Sequence, residues 1–417
     1  MRRFERVLIF LLFLLGSGVG EVFLAGGGYS ATLETGPITQ VSFALLYIAV
    51  FLFLLRKFAK PALALVLKEK WNLLICLWVL ASTAWSVDPG ESLRRSIALA
   101  GTTLGGLFIG MRFEPKQQLR AIVVVVGLGA LATLGAVLLM PGVVHGADGT
   151  SFRGLNTDKN SLGHFMAIGV LCSALLAYGQ RRHRNVLIAI FVVCCVLGVM
   201  SKSATALVVT VLIFMILPFR NFFYLRTRAS IGVAAGVGML VALLGGCVIV
   251  NEDQLLQSLG RDTTLTGRVP LWQFVIKEIA ARPLSGFGFN AFWKSSEGAK
   301  VSEAADWGIA IPHAHNGFLE VWLGIGLIGL GILFAGMLRN LVLAIRVART
   351  DREIDQAWPL ILLVYTVLYN VTENSLLTVN SIVWMIYVAN SFWLVRKAQE
   401  QRYSLQEEAE LEPALPA

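Results

Sequence analysis

The amino-acid sequence predicts an all-α membrane protein that crosses the bilayer about twelve times. The chain has 417 residues, of which 56% are hydrophobic and only 15% are charged. Soluble proteins carry about 25% charged residues. Several apolar runs also exceed the ~18 residues that indicate a spanning helix. These observations exclude a soluble enzyme, a disordered chain and a small disulfide-stapled secreted domain.

Twelve apolar runs are the candidate transmembrane helices. In chain order they cover residues 7–25, 38–55, 71–86, 95–111, 121–140, 160–178, 186–200, 203–218, 229–250, 316–338, 357–372 and 379–395. The first run is also compatible with a signal peptide, because Arg2, Arg3 and Arg6 precede Val7–Leu15 and small residues follow. The continuation of the apolar sequence through Val22–Gly28 favours a retained helix.

The distribution of basic residues predicts the orientation of the chain. With the N-terminus in the cytoplasm, 24 of the 35 Lys and Arg residues fall in inner segments. Six of the other 11 lie in one long outer loop, which counts little because long loops translocate regardless of charge. Both termini are therefore predicted to be cytoplasmic. The net charge of +9 reflects these inner segments and does not indicate nucleic-acid binding.

The predicted organisation has four parts. Residues 1–250 hold transmembrane helices 1–9, and 251–315 form a long outer loop between helices 9 and 10. Residues 316–396 hold helices 10–12, and 397–417 form a polar cytoplasmic tail. The five cysteines all lie in apolar runs without metal-ligand spacing, so they are interpreted as reduced packing residues.

An amphipathic helix is predicted in the centre of the long loop. Its apolar face would contain Leu271, Trp272, Val275, Ile276 and Ile279, and its polar face Gln273, Lys277 and Glu278. Thr266 is a candidate N-cap, and Pro283 ends the helix after Arg282. Trp293 and Trp307 are typical of a loop that lies at the membrane interface.

The first polar cluster on the predicted outer side is Arg153-Gly-Leu-Asn-Thr-Asp-Lys159-Asn160, which leads into a helix. Arg153 and Lys159 flank a helix N-terminus, where unpaired N–H groups and the helix dipole favour an anion. An ordinary capped turn with solvated charges explains the same residues.

The second cluster places Arg268 in the first turn of the amphipathic helix. The guanidinium fork of an arginine matches phosphate oxygens, and a rim ion pair with Asp262 is the alternative. The third cluster is Pro-His313-Ala-His315-Asn316-Gly. A neutral imidazole there could accept a proton from a hydroxyl. Metal binding lacks an obvious third ligand, and helix capping by Asn316 is a further alternative.

These segments together resemble the bacterial O-antigen ligase and polysaccharide polymerase superfamily. The resemblance rests on four segments in their order along the chain. They are the basic turn Arg153–Asn160, the Thr-Gly-Arg…Trp of Thr266–Trp272, the Pro-Leu-x-Gly-x-Gly of Pro283–Gly288, and the His-Asn-Gly-Phe-Leu-Glu…Gly of His315–Gly329. It extends over about residues 70–390 and is densest over 150–335.

The resemblance implies an enzyme of the bacterial inner membrane that transfers glycan from an undecaprenyl-diphosphate-linked donor at the periplasmic face, with inversion and without a metal or cofactor. The long outer loop, 251–315, would then be periplasmic. His315 matches the histidine thought to engage the acceptor hydroxyl, and Arg268 matches an arginine associated with the donor diphosphate. Arg153, Lys159 and Lys202 are the further candidates for diphosphate binding. His313, Asn316 and Trp272 are candidates for positioning the acceptor and the loop.

The sequence departs from the family pattern at Ala204, where many members have an arginine; Lys202 is the nearby cation. The Trp85–Pro89 segment with Arg94 and Arg95, and the Asp-Lys-Asn at 158–160, are more similar to the exopolysaccharide polymerase branch. The implied partners are the lipid-linked donor, a glycan or lipid-linked acceptor, membrane lipids, and a chain-length regulator or flippase of the same pathway.

A transporter or flippase is the rival interpretation, since many carriers have twelve helices. Carriers of the common type join two six-helix repeats, whereas the connection between the sixth and seventh runs here, Gly179–Asn185, is short and no repeat is visible. Charged residues that would mark an ion path within the runs are also scarce.

Overall fold

The computed structural model describes residues 2–21, 36–146, 151–216, 268–304, 311–350 and 354–411. Over these ranges the chain is helical and has no β-strand. The helices are α1 Arg2–Gly16, α2 Pro37–Lys68, α3 Lys70–Ala81, α4 Pro89–Arg112, α5 Pro115–Leu139, α6 Lys159–Gly179, α7 Arg184–Met200, α8 Ala204–Ile216, α9 Arg268–Ala281, α10 Ser296–Ala304, α11 Gly317–Thr350, α12 Trp358–Tyr369 and α13 Ile382–Leu411.

Every predicted run except 229–250, which lies outside the described residues, overlaps one of these helices. Three helices continue beyond the predicted ends: α2 to Lys68, α11 to Thr350 and α13 to Leu411. Hydropathy marks only the apolar part of a helix, and the continuations are rich in Leu, Ala, Lys, Arg, Gln and Glu, which are good helix formers. The predicted polar tail is therefore helical to Leu411, with exposed side chains such as Tyr403.

The helical bundle is a multi-pass membrane protein. Among the described residues α2, α5, α6 and α11 are long and apolar enough to cross a membrane, and α7, α8 and α12 are shorter apolar helices. The first half of α13 packs in the centre of the bundle, where Met385, Ile386 and Val388 have no exposed surface. The count of twelve spanning helices and the position of the long loop stay predictions.

Helix α11 is kinked at Gly326, where φ is +72°. The kink frees backbone groups that the preceding loop satisfies: the N–H of Leu327 donates to the Pro283 carbonyl at 2.9 Å, and the N–H of Phe287 to the Leu323 carbonyl at 2.9 Å. A side chain at 326 would meet the carbonyl of Leu284 at 2.0 Å. Glycine is therefore required here both for the positive φ and for the close approach.

The loop region carries a small apolar core of its own. Leu271, Val275 and Ile279 of α9 are buried together with Phe292 and other apolar side chains. Since Ile276 is 53% exposed, its prediction on the apolar face was wrong: the buried stripe follows the spacing i, i+4, i+8, and Ile276 falls outside it. Thr266, Asp262 and Trp307 lie outside the described residues.

Candidate functional site

Three charged or titratable side chains meet at the N-terminal end of α11. The Nη2 group of Arg268 donates to Oε1 of Glu373 at 2.7 Å, and Nδ1 of His315 lies 3.5 Å from Oε2 of the same carboxylate. Arg268 also donates through Nη1 to the backbone carbonyl of Thr372. All three side chains are largely buried, with exposed fractions of 12% for Arg268, 5% for Glu373 and 16% for His315. We refer to these residues as the Arg268–Glu373–His315 cluster.

Capping of α11 fixes the position of His315. Oδ1 of Asn316 accepts hydrogen bonds from the N–H groups of Phe318 and Leu319, both at 3.0 Å, so Asn316 is the helix N-cap. Its Nδ2 donates to the Val371 carbonyl at 2.9 Å. Asn316 therefore joins the start of α11 to the segment that carries Glu373.

The segment between α12 and α13 is held by buried hydrogen bonds. Oδ1 of Asn370 accepts from the N–H groups of Ser375 and Leu376, at 2.8 and 3.1 Å. The N–H of Gly317 donates to the carbonyls of both Asn370 and Glu373, at 2.9 Å each. These contacts hold the backbone of Glu373 against the first turn of α11.

His315 has a positive φ of +49°. The left-handed region is uncommon for a residue other than glycine, and such strain persists only where the surroundings impose it. One of the contacts that impose it is the hydrogen bond from the N–H of His315 to Nδ1 of His313 at 3.1 Å. The centroids of the two rings are 4.1 Å apart. His313 thus holds the backbone of His315 through this hydrogen bond.

Electrostatics keep Glu373 charged and His313 neutral. Burial by itself would raise the pKa of Glu373, but the hydrogen bond with His315 and the charge of Arg268 outweigh it and lower that pKa to about 2. Burial lowers the pKa of His313 well below its usual range, and the neighbouring His315 acts in the same direction. The cluster therefore holds a carboxylate at neutral pH, and His313 accepts the N–H of His315 with an uncharged ring.

Further contacts attach the loop region to the cluster. Nε1 of Trp272 donates to the Ala314 carbonyl at 2.9 Å, and the N–H of Ala314 donates to Oε2 of Glu320 at 2.7 Å. The same carboxyl group accepts from Nε1 of Trp293 at 3.0 Å. Two tryptophans of the loop and one glutamate of α11 thus hold Ala314, the residue between the two histidines.

The start of α8 contacts the segment that carries Glu373 through Thr205, whose hydroxyl lies 2.9 Å from that of Thr372. Lys202 lies in the turn just before α8, with an exposed side chain and a φ of +52°. The second turn of α6 contacts the end of α12: the ring of His164 is 3.7 Å from that of Tyr369, centroid to centroid. The beginnings of α6 and α8 therefore pack against residues 369 and 372, which lie close to Glu373 in the sequence.

Arg153 and Lys159 have different surroundings. Lys159 is the first residue of α6 and is partly exposed. Arg153 is 7% exposed, and its Nε is buried without a hydrogen-bond partner among the described residues. The backbone N–H of Arg153 donates to the Val144 carbonyl at 2.9 Å. Contacts within the described ranges do not join Arg153 to the Arg268–Glu373–His315 cluster.

The described residues contain no group of three or more His, Cys, Asp or Glu side chains with the spacing to hold a metal ion. His313 and His315 instead make the contacts given above. Arg268 does form an ion pair, but the observed partner is Glu373 and the pair is largely buried rather than at the rim. Asp262 lies outside the described residues.

Sequence reasoning missed Glu373. The predicted run 357–372 ends one residue before it, and the sequence analysis assigns no role to the polar stretch between the last two runs. The signal was present: Asn370, Thr372, Glu373, Asn374 and Ser375 form a polar island between two apolar helices. A carboxylate there needs a partner, and the structure supplies Arg268.

Comparison with known proteins gives two matches. Residues 187–334 match the family model described as O-antigen ligase, a range that includes Arg268, His313 and His315. The chain is also 30% identical, over 297 residues, to the exopolysaccharide production protein ExoQ of Rhizobium meliloti (strain 1021). That alignment covers 64% of this chain and 66% of the relative.

The chain belongs to the O-antigen ligase and polysaccharide polymerase superfamily. This membership confirms the resemblance found in the sequence, and with the apolar helices it supports a role in the synthesis of bacterial polysaccharides. The superfamily model ends before Glu373, and the basic turn with Arg153 precedes its first residue. The structure therefore extends the candidate site of this superfamily member beyond the matched range, to the segment between α12 and α13.

Proposed function

We propose that this superfamily member is an inverting, metal-independent glycosyltransferase of the periplasmic face. It transfers glycan from an undecaprenyl-diphosphate-linked oligosaccharide to a sugar hydroxyl of a glycan or lipid-linked acceptor. The observation that carries the proposal is the contact of both Arg268 and His315 with the single buried carboxylate of Glu373. Such a transfer needs a cation that stabilises the departing diphosphate and an imidazole that accepts the proton of the acceptor hydroxyl. Here one carboxylate contacts both groups.

In this mechanism His315 is the general base. A carboxylate beside Nδ1 favours the tautomer that carries its proton on Nδ1, so Nε2 is the proton acceptor of the ring. The acceptor hydroxyl gives its proton to Nε2, and its oxygen attacks the anomeric carbon from the side opposite to the diphosphate. The bond from that carbon to the diphosphate oxygen breaks, and the electron pair stays on the departing diphosphate. Attack from the opposite side inverts the anomeric centre.

Arg268 is placed to stabilise the departing diphosphate. A guanidinium group has five N–H donors, and the carboxylate of Glu373 and the Thr372 carbonyl occupy two of them. Electrostatic stabilisation of a leaving group is strongest where water is excluded and the donors are already oriented. Because Glu373 neutralises part of the charge of Arg268, we include Lys202, Lys159 and Arg153 as further cations for the diphosphate.

Within the superfamily, we propose repeat-unit polymerisation in exopolysaccharide synthesis rather than ligation to a lipid A core. The support is the identity to a relative named for exopolysaccharide production, together with the Trp85–Pro89 and Asp158–Asn160 segments. A polymerase would act with a chain-length regulator and a flippase of the same pathway.

The proposed orientation, with the cluster in the periplasm and both termini in the cytoplasm, is supported by the charge distribution of the short loops. Single-cysteine labelling in intact cells tests it. A cysteine at Ser296 should react with an impermeant reagent, and one at Arg182 should react only after permeabilisation. Labelling of Ser296 from the cytoplasm alone would overturn the orientation.

Substitution of His315 tests the proposed reaction. Loss of a positioned general base costs roughly 10²-fold or more in rate, so His315→Ala should lower glycan transfer by that factor while donor binding persists. His145→Ala removes a histidine that precedes the basic turn and serves as the matched control; its rate should be that of the wild type. Transfer by His315→Ala at the wild-type rate, at equal membrane abundance, would exclude His315 as the base.

A further inference from the structure

A second site is suggested by a groove of about 840 Å³ at the far end of α11. It lies between the C-terminal half of α11, the junction of α2 and α3, and the extended part of α13. Its lining includes four cationic side chains, Lys68, Arg339, Arg346 and Arg402, and contains no Asp or Glu among the described residues. The groove is therefore strongly basic.

The groove is far from the Arg268–Glu373–His315 cluster. From Gly317, beside the cluster, to Arg339 the chain runs 22 residues along α11, which is about 33 Å of helix. The hydrocarbon core of a bilayer is about 30 Å thick. This length runs along two segments that meet at the Gly326 kink. Since α11 is long and apolar enough to cross a membrane, the proposed topology places the cluster and the groove at opposite faces, and the groove shares no residue with the proposed reaction.

A buried carboxylate fixes the inner wall of the groove. Nη1 of Arg339 donates to Oε1 of Glu69 at 3.1 Å, and its Nη2 donates to the Lys68 carbonyl at 2.8 Å. Glu69 is 1% exposed, so this ion pair holds Arg339 in place. Nζ of Lys68 donates to the side chain of Gln399 at 3.2 Å, which joins α2 to α13. Glu69 thus pairs with one of the four cations from behind the wall, and the lining of the groove itself carries no acidic side chain among the described residues.

Apolar side chains continue the groove along the outside of the bundle. Leu338 is 63% exposed and Val342 is 41% exposed; both line the groove next to the cations, together with Trp71. A small soluble anion would use only the cations. A molecule with a phosphate and an acyl chain would use both surfaces, since basic pockets between transmembrane helices suit anionic lipid head groups.

We propose that this groove binds the head group of an anionic phospholipid from the leaflet opposite the glycan-transfer site. The phosphate contacts Arg346 and Arg402 at the mouth of the groove, and an acyl chain lies along Leu338 and Val342. The lipid of this class would be phosphatidylglycerol or cardiolipin. The bound lipid would tie the C-terminal part of α11 to the helical extension of α13.

Titration of the full-length protein with lipid tests the proposal. Phosphatidylglycerol or phosphatidylcholine is added to the purified protein in a neutral detergent, and bound lipid is counted by native mass spectrometry. Each Lys or Arg near an anionic lipid raises the affinity of the protein for that lipid by about fivefold. Removal of two cations in Arg346→Gln/Arg402→Gln should therefore weaken phosphatidylglycerol binding roughly 10- to 30-fold. Both side chains are exposed, so the variant should fold.

The matched control is Arg181→Gln/Arg182→Gln, which removes the same charge from an exposed turn outside the groove. It should bind phosphatidylglycerol as the wild type does. Equal affinity of the wild type for phosphatidylglycerol and phosphatidylcholine would overturn the proposal, as would unchanged binding by the groove variant. Competition by soluble glycerol phosphate at similar concentration would instead identify a site for small anions and contradict the lipid assignment.

Discussion

Replacement of Glu373 by glutamine separates the structural from the chemical role of the cluster. The side chain keeps its size but loses the charge that Arg268 and His315 contact. Removal of one partner of a buried ion pair leaves an uncompensated charge and costs about 3–5 kcal/mol. We therefore expect Glu373→Gln to be less stable than the wild type by an amount in that range, near neutral pH.

The pKa of Glu373 gives an independent magnitude. It is lowered from 4.5 to about 2, which corresponds to about 3 kcal/mol at 1.36 kcal/mol per pKa unit. The folded-state pKa is the lower one, so between these values the unfolded chain binds more protons than the folded chain. The stabilisation is therefore complete above pH 4.5 and is lost as the pH falls from 4.5 towards 2. Glu373→Gln should lack this part of the acid sensitivity.

The assays are denaturant unfolding in mixed micelles and glycan transfer in membranes at matched abundance. Transfer should fall roughly 10²-fold, since His315 loses the carboxylate that orients it. The double variant Arg268→Gln/Glu373→Gln removes both charges and should recover stability relative to Glu373→Gln, but not activity. Glu303→Gln, on the exposed face of α10, is the control. Wild-type transfer by a stable Glu373→Gln protein would refute the reasoning, and so would a double variant no more stable than the single one.

Three further expectations follow from the same contacts. Arg268→Lys keeps the charge but loses the planar fork, so transfer should fall at least tenfold, whereas Lys277→Ala on the exposed face of α9 should leave the rate unchanged; equal, mild effects would make Arg268 an ordinary rim residue. Gly326→Ala places a Cβ about 2.0 Å from the Leu284 carbonyl at a positive φ; it should cost about 2 kcal/mol or more in unfolding free energy, and a cost under 0.5 kcal/mol would show that the kink is not required. Transfer by the purified protein should persist in excess EDTA, and loss of activity that Mg²⁺ or Mn²⁺ restores would contradict the metal-independent mechanism.

The candidate site was predicted in part. Local sequence placed Arg268 and His315 beside helix starts, and the resemblance to the superfamily singled them out; the structure brings both to Glu373, while their catalytic roles stay predictions. Capping by Asn316 was an alternative that the sequence left open, and the hydrogen bonds from Phe318 and Leu319 show that Asn316 caps the helix. The roles of Arg153, Lys159 and Lys202 in diphosphate binding stay predictions, since no observed contact joins these side chains to the cluster.

The sequence by itself determined the class of the protein and the approximate positions of its helices. Hydropathy and charge act on each segment separately, through the cost of placing polar groups in hydrocarbon, so they can be evaluated without knowledge of neighbouring helices. The same local rules also indicated the amphipathic stripe of α9, apart from Ile276.

Only the tertiary structure determined which residues from distant parts of the sequence contact each other. Arg268 and Glu373 are 105 positions apart in the sequence, with the whole of α11 and α12 between them, and no periodicity specifies that a guanidinium at the start of one helix contacts a carboxylate after another. The basic groove has the same origin, since its cations come from three separate helices. Contacts of this kind depend on how helices pack, and helix packing is determined by side-chain shape across the whole bundle rather than by any one segment.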